Sequence, residues 1–333
     1  MPTQKLIVFD MDGVIMDVSG SYRDTVRQTA TLFFKEAKDA AQLPVPLFQL
    51  SDLAGVKQSG GLNNDWDLTF LIIDLLFTLV PKPPVAESED PWARYRETIR
   101  RCDVSALAGY LKRTPRPLES LYKQRGKPAD PFIAGLYDAD VGNGNIIKQI
   151  FQEIYLGQTL FESTYYRPTV MYHDAGYIQR EKILINPAVL EALAQEHILA
   201  IATGRPKAEA DYPLRNHDIR KFFRVVYTLD DCISEEKRIF EQEGQRVSLS
   251  KPHPFMLDAI VKTLKEQISE CYYVGDMPDD MQAAAHSRAA FVSIGLVLAA
   301  PDKVRLRKEL SRAGADYIAE DFEALKAFLN AHR

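Results

Sequence analysis

Lys5-Leu6-Ile7-Val8-Phe9-Asp10-Met11-Asp12-Gly13-Val14 is the stretch on which the fold turns. A short apolar run stops abruptly at two aspartates and a glycine. The pattern returns along the chain: Ile198–Ala202 stops at Thr203-Gly204, Cys271–Val274 at Gly275-Asp276, and Ala290–Ile294 at Gly295. Runs that are apolar without alternation read as strands buried on both faces, the mark of a parallel sheet covered by helices. Arg224–Tyr227 and Asp316–Ile318 read as weaker strands. Helices are expected over Pro187–Glu196, Pro254–Lys265, Met281–Ser287, Pro301–Ser311 and Phe322–Ala331. The fold class is therefore α/β, with a Rossmann-like parallel sheet.

The stretch 18–184 reads differently. Helical periodicity dominates it, in Ser21–Lys38, Asp67–Val80 and Ile146–Leu156, and β-branched runs are scarce. Prolines break it, from Pro81 to Pro91 and again from Pro115 to Pro131. The expected organisation is an α/β core from 1–17 and 185–333, with a helical domain over 18–184 inserted after the first strand. The second proline stretch is basic, with Lys112, Arg113, Arg116, Lys123, Arg125 and Lys127 against Glu119 and Asp130. It reads as a solvated surface rather than a partner site.

A chain of 333 residues suits about two domains. Its 41 basic and 46 acidic residues give a net charge of −5, which argues against nucleic-acid binding through a strongly basic surface. The greasy stretch Leu68–Val80 is interrupted by Asp74 and is too short to span a bilayer, so no membrane partner is expected. Cys102, Cys232 and Cys271 are too far apart and too few to suggest a disulfide framework or a zinc site. Met1–Lys5 runs straight into a strand without a signal-peptide pattern. The expectation is a cytoplasmic protein with buried thiols.

In open α/β sheets, ligands bind outside the carboxyl ends of the strands. Asp10, Asp12, Asp276 and Asp280 should therefore crowd together there. Two carboxylates about 4 Å apart repel by about 4 kcal/mol at an intermediate effective dielectric. Such a cluster calls for a cation, a proton, or both, and an all-oxygen ligand set suits Mg²⁺. Lys251, in Ser250-Lys251-Pro252-His253-Pro254, can balance a carboxylate and a phosphate together. The Thr203 hydroxyl and the Gly204 N–H suit phosphate oxygens.

These motifs, in this order, resemble those of the haloacid dehalogenase superfamily of hydrolases. Asp10-Met11-Asp12-Gly13-Val14 matches its first motif, Thr203 its second, Lys251 with Pro252 and Pro254 its third, and Gly275-Asp276 with Asp280 its fourth. The insert resembles the helical C1-type cap of subfamily IA. The resemblance implies a phosphatase that forms an aspartyl-phosphate on Asp10. Asp12 would then be general acid and base, and Thr203, Gly204 and Lys251 would hold the phosphate. Mg²⁺ would be bound by Asp10, the backbone carbonyl of Asp12, Asp276, and Asp280 directly or through water. The implied partner is a small phosphorylated metabolite, a sugar phosphate or an amino-alcohol phosphate. Asp12 argues against dehalogenases and phosphonatases, which lack it. A sugar phosphomutase stays open, although Tyr22 stands where mutases usually carry a histidine. A catalytically silent binding protein is the third reading.

Substrate choice should lie in the insert, because the motifs recognise only a phosphoryl group and a metal. The expected specificity loop is 57–64, with Lys57, Gln58, Gly60, Gly61 and Asn63 as candidates. Its alternative is a plain loop leading into a helix capped by Asn64 or Asp65. Arg205 reads either as a substrate or cap contact or as an exposed arginine at a helix start.

Overall fold

The computed structural model describes residues 4–60, 64–124, 129–264 and 268–331, except for the side chains of 57–60. The chain divides into two compact units, 1–18 with 181–333, and 19–180.

Among the described residues, the first unit is built on eight short strands. They are β1 (Gln4–Phe9), β2 (Met16–Asp17), β3 (Lys182–Ile183), β4 (Ile198–Ala202), β5 (Val225–Tyr227), β6 (Ile268–Gly275), β7 (Val292–Leu296) and β8 (Tyr317–Ala319). Six of them form a sheet in the order β5-β4-β1-β6-β7-β8, and every pairing in it is parallel. The sequence pattern explains the layering. Side chains alternate along a strand, so Ile7 and Phe9 join Leu199, Ile201, Tyr272 and Val274 on one face. Leu6 and Val8 join Ala200, Ala202, Cys271 and Tyr273 on the other. Helices cover both faces, so neither set can be polar. Strands β2 and β3 pair separately as an antiparallel ribbon, Met16 opposite Ile183 and Asp17 opposite Lys182. The ribbon keeps the two ends of the insert side by side within this unit.

The expected helices of this unit form at Pro187–Glu196, Phe255–Leu264, Pro278–His286, Lys303–Arg312 and Phe322–Ala331. Two more form at Lys207–Asn216, which follows the helix start read at Arg205, and at Leu229–Glu243, which has no counterpart in the sequence reading.

The second unit is helical. Tyr22–Phe33, Asp65–Phe77 and Ile146–Tyr165 pack on one another. The last bends at Gly157, whose φ of 72° is not helical. The proline stretches contain helices rather than only loops: Pro91–Arg101, Pro117–Lys123 and Pro131–Gly135 each begin at a proline. The first helical position needs no N–H partner and favours proline's fixed φ, so these prolines start helices. The buried acids of this unit serve the backbone. Asp52 accepts the N–H groups of Leu118 and Glu119, and Glu153 those of Val170, Met171 and Tyr172. Among the described residues no helix is long and apolar enough to cross a membrane.

Candidate active site

Register brings the motifs together. Phe9, the last residue of β1, lies opposite Ile201 of β4 and Val274 of β6. The residues that follow, Asp10, Thr203 and Asp276, leave the sheet at the same edge. Asp10 keeps one ladder bond, its N–H donating to the Val274 carbonyl at 2.8 Å. The chain then turns tightly, with the N–H groups of Ile15 and Met16 both donating to the Met11 carbonyl. Gly13 makes this turn at a φ of +69°, and a Cβ there would sit 2.0 Å from Asp276 Oδ2. Only glycine lets the backbone approach that carboxylate so closely.

Oxygens of Asp10, Asp276 and Asp280 lie within 4.8 Å of one another. At that separation each pair of charges repels by about 3.5 kcal/mol at an effective dielectric near 20. Lys251 offsets part of this, its Nζ lying 2.8 Å from Asp10 Oδ2 and 2.7 Å from Asp280 Oδ1. Burial, together with the charges of Asp280 and Asp12, pushes the Asp10 carboxyl up to about 7 even against Lys251. Removal from water, then Asp280 and Asp10, hold Asp276 well above the usual carboxylate range. Burial alone would lower Lys251, but Asp10 and Asp280 outweigh it and keep the ammonium charged. Three carboxylates against one ammonium leave an excess of two negative charges when all are ionised. That excess and the all-oxygen donor set fit a hard divalent cation such as Mg²⁺.

Each expected residue has a definite place. Asp280 is fully buried in the first turn of Pro278–His286. Its Oδ1 accepts from Lys251 and from the Tyr273 hydroxyl, and its Oδ2 from the Met277 N–H. It therefore holds Lys251 in position as well as adding charge. Thr203 is buried, with its Oγ1 accepting the Arg205 N–H at 3.2 Å. Gly204 is exposed, with open space around it.

Asp12 does not add its carboxylate to the group formed by Asp10, Asp276 and Asp280. Arg205 Nε and Nη2 approach its Oδ1 at 2.6 and 2.5 Å. The side chain of Arg205 is only 1% exposed, so the exposed helix-start reading fails. Its guanidinium is drawn inward because Glu181, equally buried, faces Nη1 at 2.9 Å.

The expected loop 57–64 is helical in its first part. Lys57–Gly60 belong to the helix Leu50–Gly60, whose apolar Leu53 and Val56 are buried at helical spacing. Gly61 and Asn63 lie outside the described residues. Asn64 does cap the next helix, its side chain accepting the Trp66 N–H.

Two members of the site were missed from sequence. Tyr273 looked like strand filler, yet its hydroxyl donates to Asp280 at 2.9 Å. A tyrosine inside a strand buried on both faces was the available signal, because its hydroxyl must find a partner. Glu181 had no signal, since it lies outside every motif.

The comparisons agree with this architecture. A solved structure from a structural-genomics consortium aligns with a TM-score of 0.68 at 19% identity over 98% of both chains. A phosphatase from Thermococcus thioreducens aligns at 0.52, also 19% identical, over 92% of this chain and 99% of that one. These likenesses carry the fold. An imidazoleglycerol-phosphate dehydratase of Phytophthora nicotianae is 22% identical over 298 residues, 89% of this chain and 44% of that protein. The chain thus spans less than half the length of that relative. A family model for haloacid dehalogenase-like hydrolases matches residues 4–288, and the chain belongs to that family.

Proposed function

We propose that this hydrolase is a Mg²⁺-dependent phosphomonoesterase acting on a small phosphorylated metabolite. The observation that carries the reading is Asp10 at the end of β1, held by Lys251 and grouped with Asp276 and Asp280. Asp10, Asp276 and the backbone carbonyl of Asp12 would hold the metal. Bound there, Mg²⁺ supplies positive charge and orientation for the phosphoryl oxygens.

The residues do the rest. An Asp10 oxygen attacks phosphorus, and the bond from phosphorus to the substrate oxygen breaks. Asp12 donates its proton to that departing oxygen. Asp12 then takes a proton from water, the water oxygen bonds to phosphorus, and the Asp10 carboxylate leaves. A placed acid and base of this kind contributes roughly 10²–10⁴-fold. Thr203, Gly204 and Lys251 bind the non-bridging oxygens.

Substrate choice is assigned to the helical unit as a cap, since the carboxylate site distinguishes only phosphoryl groups. The phosphomutase alternative gains nothing from Tyr22, whose ring stacks on Tyr155 at 4.4 Å.

The test is phosphate release from a panel of sugar phosphates and amino-alcohol phosphates, measured with Mg²⁺ and with EDTA. Imidazoleglycerol phosphate joins the panel because the Phytophthora relative is named for it. Release that needs Mg²⁺ and disappears in Asp10→Asn is expected. Release that survives either change overturns the mechanism, and no release from any member overturns the activity.

A further inference from the structure

The guanidinium of Arg205 bridges two carboxylates of very different exposure. Glu181 is 1% exposed at its side chain, and Asp12 is 37% exposed. Nη1 serves the buried partner, Glu181, at 2.9 Å and also donates to the Glu209 carbonyl at 3.2 Å. Nε donates to Asp12 Oδ1 at 2.6 Å, and Nη2 lies 2.5 Å from the same oxygen as a charge contact without hydrogen-bond alignment. The backbone of Arg205 is fixed as well. Its N–H donates to Thr203 Oγ1, and its carbonyl accepts from the Leu229 N–H at 2.9 Å. Arg205 is thus immobilised at backbone and side chain, and its Nε–Nη2 edge faces the carboxylate assigned to proton transfer.

A carboxylate on a turn rotates about its side-chain bonds, and proton transfer fails when the oxygen points away from the leaving group. The hydrogen bond from Nε and the close positive charge of Nη2, both on Oδ1, remove that freedom and leave Oδ2 as the oxygen that exchanges the proton. A lysine cannot reproduce this, because one ammonium lacks the planar fork that reaches two carboxylates at once. We propose that Arg205, anchored by Glu181, is a positioning residue that sets which oxygen of Asp12 handles the proton. The inference rests on the phosphomonoesterase reading and assigns this pair a part in it.

Two variants test it. Arg205→Lys keeps a cation for Glu181 and loses the two-nitrogen grip. Arg205→Met combined with Glu181→Gln removes both buried charges together, so that neither is left unpaired. Circular dichroism and thermal unfolding establish which variants fold, and Arg205→Lys decides if the double variant does not. The readout is the rate of the first chemical step, by rapid quench, on an alkyl phosphate and on 4-nitrophenyl phosphate. Nitrophenolate leaves without needing a proton, whereas an alkoxide needs one. The alkyl phosphate is expected to lose on the order of 10–100-fold with KM little changed, while the nitrophenyl burst stays close to wild type. Equal loss on both substrates would make Arg205 merely structural. An undiminished alkyl rate would also overturn the proposal. Either result alongside intact, Asp10-dependent hydrolysis defeats only this inference. No hydrolysis by the wild type defeats the phosphatase reading and this inference with it.

Discussion

Replacing Lys251 by methionine keeps most of the side-chain volume and removes its charge from between Asp10 and Asp280. Nζ lies 2.8 and 2.7 Å from their oxygens. At an effective dielectric near 20, each attraction amounts to about 6 kcal/mol before desolvation is counted. Keeping the lysine out of water cancels much of that, and breaking a buried pair on one side costs about 3–5 kcal/mol net. At ~2–4 °C per kcal/mol for a domain of this size, the melting temperature of the metal-free protein should fall by ~6–20 °C. The three carboxylates then repel one another with no ammonium between them, so a divalent cation becomes more valuable to the fold. Thermal unfolding in EDTA and across a Mg²⁺ titration checks both halves of the argument. The variant should melt early in EDTA, regain more from Mg²⁺ than the wild type does, and show a Mg²⁺ midpoint no higher. Hydrolysis should be lost even at saturating Mg²⁺. An unchanged melting temperature in EDTA, or a markedly weaker Mg²⁺ midpoint, would refute the reasoning.

Gly13→Ala should cost about 1–2 kcal/mol for its left-handed backbone and should also displace Asp276, whose Oδ2 a Cβ would meet at 2.0 Å. Weakened Mg²⁺ binding by calorimetry is the expected sign, and unchanged binding would contradict it. In the helical unit, Glu153→Gln turns an amide toward N–H donors now held at 2.7–3.2 Å. Its denaturation midpoint should drop by the equivalent of about 1–3 kcal/mol, and an unchanged midpoint would mean these bonds carry no net stability. Burial pushes the thiols of Cys102 and Cys271 up to about 11 and that of Cys232 to about 12. Raised values mean scarce thiolate at pH 8, so Ellman's reagent should label the native protein slowly and all three thiols promptly in guanidinium. Rapid native labelling would contradict their burial.

The sheet was legible because burial on both faces leaves an unmistakable imprint. Leu6 through Phe9 could not all be apolar in a strand with a wet side. The carboxylate edge was legible for a related reason: motifs that end buried strands must meet wherever a parallel sheet ends. The helices were harder to read. Leu229–Glu243 buries only Cys232 among its residues, so it lacked the apolar stripe that periodicity detects. The prolines of the insert look like breaks in the sequence, although Pro91, Pro117 and Pro131 start helices. A proline's meaning depends on whether an N-terminal turn follows it, which composition alone does not tell.

The site divides in the same way. Asp10, Lys251, Asp276 and Asp280 belong to motifs and were found. The grip of Arg205 on Asp12 spans 193 positions, and its anchor Glu181 stands outside any motif. Such partners are fixed by the geometry of the folded chain, and the local sequence around Arg205 looks like that of any helix start. Asp280 shows the converse. Its carboxylate was expected chiefly as a metal ligand, but it also holds Lys251, Tyr273 and the start of its own helix.

The most direct test of the central claim is to look for the phosphoryl group on Asp10. Asp12→Asn, mixed with a readily cleaved aryl phosphate and Mg²⁺, should form the aspartyl-phosphate and hydrolyse it slowly. Acid quenching and peptide mass mapping should then find one phosphoryl group on the peptide that contains Asp10, and none in Asp10→Asn. Turnover that releases phosphate while this peptide stays unmodified at every quench time would contradict the account and point to direct attack by water.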